Sequence, residues 1–165
     1  MSVITQLLKK THLFAGVADE HIDAIAEFSS REVIEPKYNE NVMVLKKNQD
    51  HPSLRLVVSG HVSLEKRTEH DGIPSNAQQD VESLEDEVLG EISWVMDQPR
   101  LADVFTANRA VLVRIDGFQF TLYLDENPEL GYHIYKRIAY VMGKRVTANF
   151  KKAEQRDTDS GVFAW

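Results

Sequence analysis

A chain of 165 residues with 42% apolar and 27% charged side chains has the size and balance of one soluble globular domain with its own core. It has no cysteine, which excludes disulfides, iron–sulfur clusters and thiolate zinc sites, and its formal net charge of −7 argues against a broad surface for nucleic acid. Lys9 and Lys10 interrupt the N-terminal apolar residues, so no signal-peptide core forms; no apolar run approaches the ~20 residues of a membrane-spanning helix, and the cytoplasm is the expected location.

Leu13, Phe14, Val17, Ile22, Ile25, Ala26 and Phe28 recur at helical spacing, and Asp19 and Glu20 supply an acidic first turn. One or two short helices are predicted within residues 1–30. From residue 31 the pattern changes. VIEP, NVMVL, LRLVVSG and HVSLEKR are short β-branched runs separated by PKYNEN, KKNQDHPS and Ser59-Gly60. The alternation in His61–Glu65 points Val62 and Leu64 inward. The stretch TEHDGIPSNAQQD carries turn residues and no apolar period, which predicts a loop near a hairpin tip. VESLEDEVLGE and the short apolar segment ISWVM lead to two further strand candidates, ADVFTA and AVLVRID. Short strands with regular turns over residues 31–116 predict a sandwich or jelly-roll barrel, not a parallel sheet.

The remainder, 117–156, reads as helical. FQFTLYLDEN predicts a helix that stops before Pro128, and GYHIYKRIAYVMGKRVTANFKKAEQR a longer one. In that second helix Ile138, Met142, Val146, Asn149 and Ala153 form a narrow stripe, suited either to packing on the domain's own barrel or to a seam against a second copy. The basic clusters Lys9–Lys10, Lys46–Lys47, Lys144–Arg145 and Lys151–Lys152 are short and read as solvated faces. One domain, 1–156, with a tail at 157–165, accounts for the chain.

The chemistry concentrates in Leu89–Val104, where a segment of helical length bounded by Gly90 and Pro99 interrupts the strands. The first turn of such an insertion presents backbone N–H groups to an anion. Glu91, beside them, can accept hydrogen bonds from a sugar hydroxyl, and the planar fork of Arg100 suits two oxygens of a phosphodiester. By itself the pattern is also that of a turn glycine, a surface glutamate and a surface arginine.

GEISWVMDQPRLADV resembles the phosphate-binding cassette of cyclic-nucleotide-binding domains, the modules of the bacterial cyclic AMP receptor protein, the regulatory subunits of cyclic AMP-dependent protein kinase and cyclic-nucleotide-gated channels. Gly90, Glu91, Pro99, Arg100 and Ala102 match the cassette in order and spacing. The likeness runs from about Leu13 to Phe150: LFAGVADEHIDAIAEF is similar to the opening helices, LRLVVSGHVSLEKR to the strand–Ser-Gly–strand hairpin, Asp71-Gly72 to a common turn, and GYHIYKRIAYVMGKRV to the C-terminal helix. The resemblance implies a mainly β fold with flanking helices: an eight-stranded β-roll, jelly-roll-like, with N-terminal helices and a long C-terminal helix. It implies a cyclic purine nucleotide as ligand, cyclic AMP in particular, and no other cofactor. Glu91 would take the ribose 2′-hydroxyl and Arg100 the cyclic phosphate. Backbone N–H groups of Gly90, Ile92, Leu101 and Ala102 would complete the cradle, and Asn149 and Phe150 would cap the base. The alternatives are a register-setting polar residue in a dimer seam for Asn149 and core packing for Phe150.

Leu101 stands where cyclic GMP binders carry Thr, so cyclic GMP is disfavoured. Asp103 replaces the usual Thr or Ser and can compete for Arg100, and Glu85, Asp86 and Glu87 add negative charge nearby. The functional expectation is a cyclic-nucleotide sensor acting through its long helix on a partner protein, as a homodimer, without membrane association or catalysis. Only a short tail follows Arg156, so direct DNA binding by a helix-turn-helix is not expected. Two alternatives stay open: a ligand-independent interaction module with a degenerate site, and part of a transcriptional regulator. A metal-dependent barrel enzyme is disfavoured, because His12, His21, His51, His61, His70 and His133 include no His-x-His and read as surface or turn residues.

Overall fold

The computed structural model describes residues 2–38, 40–46, 52–65, 69–70, 73–74, 83–84, 88–100 and 102–159. Leu101, the acidic 85–87 segment, the Asp71-Gly72 turn and 160–165 lie outside the described residues. Chain order is helix, strands, helix. Helix α1 (Val3–Leu8) starts at Ser2, whose hydroxyl accepts the Thr5 N–H at 3.0 Å. A 3-10 turn, η1 (His12–Phe14), and α2 (Asp19–Glu27) follow, the latter with Asp19 and Glu20 at its positive end.

The strands are β1 (Ser29–Ile34), β2 (Val42–Leu45), β3 (Ser53–Ser59), β4 (Val62–Glu65), β5 (Glu69–His70), β6 (Ile73–Pro74), β7 (Ser83–Leu84) and β8 (Val88–Leu89). Helix α3 (Glu91–Met96) interrupts them before β9 (Asp103–Thr106) and β10 (Ala110–Asp116), and α4 (Gly117–Glu126) and α5 (Pro128–Asp159) close the chain. Among the described residues the strands form two four-stranded antiparallel sheets, β1-β10-β3-β8 and β2-β9-β4-β7, plus the β5–β6 hairpin. This is the expected eight-stranded roll with flanking helices.

Strand β10 explains the near-continuous apolar run AVLVRID. Ala110 and Leu112 join Leu45, Val57, Val62, Leu89 and Val104 between the sheets. Val113 and Ile115, on its other face, meet Leu54 and Leu56 of β3 and a helical layer that includes Phe14, Ile25, Phe120 and Ile134. A strand covered on both sides keeps few polar positions. At the β3–β4 turn Gly60 has φ +91°, and a Cβ there would lie 2.8 Å from the Ala110 Cα, so glycine is a steric requirement at 60.

Three expectations need adjustment. The first strand begins at Ser29, inside the stretch assigned to helices, and the last helix runs to Asp159, beyond residue 156. Val62 is buried as expected, whereas the side chain of Leu64 lies outside the described residues. The stripe of α5 divides: Ile138 is buried and Met142 packs on the core, while Val146, Asn149 and Ala153 are exposed. Leu112 is 0% exposed. Leu112→Ala is expected to remove about 2–5 kcal/mol of stability, a fall in Tm of roughly 5–15 °C in a domain of this size, measured by thermal unfolding.

Candidate functional site

The site is built around α3. Its N-terminal flank, Gly90, is left-handed at φ +81°, and a Cβ there would lie 2.9 Å from the Ser53 carbonyl oxygen and would also strike the Arg100 guanidinium. Only glycine meets both demands. At the other end Asp97 is also left-handed, φ 49°, and Gln98 N–H returns to the Ser93 carbonyl at 3.1 Å. This reversal sends Pro99-Arg100 back beneath the start of the helix. Trp94 fixes the helix's orientation. Its Nε1–H donates to the Gly117 carbonyl at 3.0 Å and to the Thr121 hydroxyl at 2.9 Å, and its ring stacks on Phe120 and on Tyr135, each at 5.3 Å.

Arg100 turns inward and is 2% exposed. Its Nη2 donates to the Ser53 carbonyl oxygen at 3.2 Å and to the Ser53 hydroxyl at 3.1 Å. Burial, and then the neighbouring positive charges of Arg55 and Arg114, push its pKa down to about 10, against the opposing pull of Glu32 and Glu91. The side chain stays charged at neutral pH. Arg55 and Arg114 sit opposite each other in the β3–β10 register, and Glu32 accepts from Arg55 at 2.7 and 3.2 Å. A buried guanidinium among guanidiniums is an electrostatic invitation to an anion.

Glu91, the first residue of α3, is also buried, but its carboxylate is engaged. Arg145, from α5, donates through Nη1 to Glu91 Oε1 and through Nη2 to the Val88 carbonyl at 2.6 Å. The side chains of Arg145 and Glu91 are 16% and 4% exposed. The reading of Lys144–Arg145 as a solvated pair is therefore half corrected: Lys144 is exposed over the Tyr140 ring, and Arg145 enters the site.

The structure thus brings Gly90, Glu91 and Arg100 together, with Ile92 half-buried in α3 and Ala102 half-buried just before β9. Asp103 opens β9 opposite Glu65 in the β4–β9 register. Asn149 and Phe150 are exposed on α5, one turn past Arg145, with Phe150 at 68%. Sequence reasoning missed Ser53, Arg55, Arg114 and Arg145. A signal existed for the last: 138, 142 and 145 continue one helical face, so a charge stands where the apolar stripe should go on. Among the described residues no group of three His, Asp or Glu side chains is placed to hold a metal, and His21 shares a 2.8 Å hydrogen bond with the Tyr123 hydroxyl. No helix among the described residues is long and apolar enough to cross a membrane.

No protein-family model and no curated protein matches the sequence. The fold has clear counterparts among solved structures. A protein assigned as cyclic nucleotide-binding from Geobacter metallireducens GS-15 superposes with a TM-score of 0.68 at 18% identity, covering 88% of this chain and 99% of that one. The regulatory domain of Toxoplasma gondii PKA, solved with cyclic AMP, gives 0.61 at 13% identity over 82% of this chain and 48% of its own. The regulatory subunit of a cyclic AMP-independent protein kinase A from Trypanosoma brucei gives 0.60 at 15% over 82% of this chain and 45% of its own. The fold is therefore that of a cyclic-nucleotide-binding domain. Gly90→Ala strains the backbone and pushes on Ser53 and Arg100 together, so urea unfolding is expected to show a loss of at least about 1 kcal/mol.

Proposed function

We propose that the chain is a regulatory sensor that binds a cyclic nucleotide, cyclic AMP in preference to cyclic GMP, and has no catalytic role. The observation that carries this reading is Arg100: a charged fork, almost wholly buried, held by Ser53 against the glycine that opens α3. In this reading the fork meets the two free oxygens of the cyclic phosphate, which offsets the cost of burying its charge. Backbone N–H groups of Gly90, Ile92, Leu101 and Ala102 complete the cradle, and Glu91 accepts the ribose 2′-hydroxyl. Asn149 and Phe150, exposed on α5, are available to close over the base if the helix shifts toward it. Position 101 offers no hydroxyl to guanine, which favours adenine.

The output is assigned to α5. Ala139, Gly143, Val146, Phe150 and Ala153 are all exposed and recur at alternating steps of four and three, the spacing of a helical seam. A second copy of the chain is the proposed occupant, and a partner protein reads the helix's position. The ligand-independent alternative has its own support, because Glu91 is already engaged by Arg145.

Titration calorimetry with cyclic AMP decides between them. Binding is expected for the wild-type chain, with a loss of at least about 100-fold in Arg100→Glu, where a buried cation becomes an anion facing the phosphate. Absence of heat and of any thermal shift at millimolar nucleotide would leave the interaction module as the better description. In sedimentation, Val146→Glu combined with Phe150→Glu is expected to convert a dimer to monomer with little change in Tm, since both side chains are exposed.

A further inference from the structure

Arg145 bridges two separate parts of the cassette. One arm reaches the carboxylate of Glu91 at the start of α3, and the other reaches the Val88 carbonyl in β8, the strand that leads into it. The two partners lie 54 and 57 residues away in sequence. The contact therefore joins the far part of the C-terminal helix to the mouth of the roll. Closer to its root, α5 is already anchored by the Tyr135–Trp94 stack and by Arg137, which donates to the Leu13 carbonyl at 2.9 Å. Arg145 stands ten residues beyond Tyr135, about 15 Å along the axis. Around it Gly143, Lys144, Val146, Thr147, Asn149 and Phe150 are exposed. This part of the helix has little apolar cover to hold it, and the ion pair of Arg145 with Glu91 ties it to the domain.

We propose that Arg145 is an internal competitor for the ligand: it holds the seat that a ribose hydroxyl would take on Glu91 and latches the distal half of α5 to the cassette. The inference rests on the nucleotide reading given above and adds the regulation of that site. With Arg145 in place the Glu91 side chain is 4% exposed, so a hydroxyl arriving from outside must displace a neighbour to reach it. Arg145 is the neighbour bonded to that carboxylate, and it comes from a stretch of α5 with little apolar cover. A neutral hydroxyl is a weaker donor to a carboxylate than a guanidinium. The exchange therefore depends on the second contact, phosphate on Arg100, to favour the bound state. Binding and release of the Arg145 contact become one event, after which the distal helix can reseat over the base, and the closed latch lowers apparent affinity by the fraction of molecules that are open.

Two measurements on Arg145→Gln test this, with Arg145→Lys as the conservative control. Calorimetry with cyclic AMP is expected to show binding at least about 10-fold tighter in Arg145→Gln than in wild type, with Arg145→Lys between them. Hydrogen–deuterium exchange without nucleotide is expected to be faster over residues 143–155 in Arg145→Gln and unchanged over β10. Binding by Arg145→Gln when wild type shows none supports the latch in its strongest form. Wild-type binding that is equalled or weakened in Arg145→Gln overturns the latch and leaves the nucleotide reading intact, as does unchanged exchange. No binding by either protein overturns the nucleotide reading, and the competition with it.

Discussion

A guanidinium with 2% exposure governs the architecture of this domain. Removing Arg100 from water is costly, and the cost is raised by Arg55 and Arg114 in the same space. The chain accepts it by giving the guanidinium two acceptors on Ser53 and by shaping the backbone to admit it. Ser53 opens β3 with both its carbonyl and its hydroxyl aimed at the fork, and Gly90 gives up a side chain so that the guanidinium can lie against it. The left-handed Asp97 reverses the chain so that Arg100 arrives from below. None of these arrangements is needed to close a β-roll. Together they house a buried positive charge in a chain whose overall charge is negative. The two charges are compatible, because the field around a buried guanidinium is local and poorly screened.

How far the fold could be read from sequence depended on which residues carry its constraints. The change from helical to alternating apolar spacing near residue 30, Pro128 and the positive φ of Gly60 all act locally, so their effects appear in the sequence at the place where they operate. The order of elements followed from them. The inward turn of Arg100 was legible through the cassette's spacing, because the glycine, the proline and the arginine are coupled within eleven residues. Ser53 and Arg145 were not. Each contacts the cassette across roughly fifty residues of chain, and a serine at a strand start or an arginine on a helix carries no mark of a distant partner. Arg55 and Arg114 belong to the same class, since a cross-strand pair exists only once β3 and β10 are in register.

The C-terminal helix shows how one regular element can serve two masters. Its first half is ordinary core: Leu130, Ile134 and Ile138 are buried against the roll and its helices. Beyond Met142 the buried face is taken over by Arg145, and the opposite face keeps apolar residues that the domain does not cover. A single amphipathic stripe cannot describe both halves, which is why its period alone left own-barrel packing and a seam as equal choices. The division comes at Met142, beyond which the contact with the roll is polar.

The indole of Trp94 has a mechanical consequence. It is bonded to α4 through Gly117 and Thr121 and stacked on α5 through Tyr135, so α3 cannot slide without carrying the roots of both helices. Cassette and helices are geared. Helix α5 has 32 residues, an arm of about 48 Å, and a tilt of about 10° at the root sweeps its tip through about 8 Å. By geometry alone, a tilt too small to disturb the contacts of α3 becomes a displacement of several ångströms at the far end of α5.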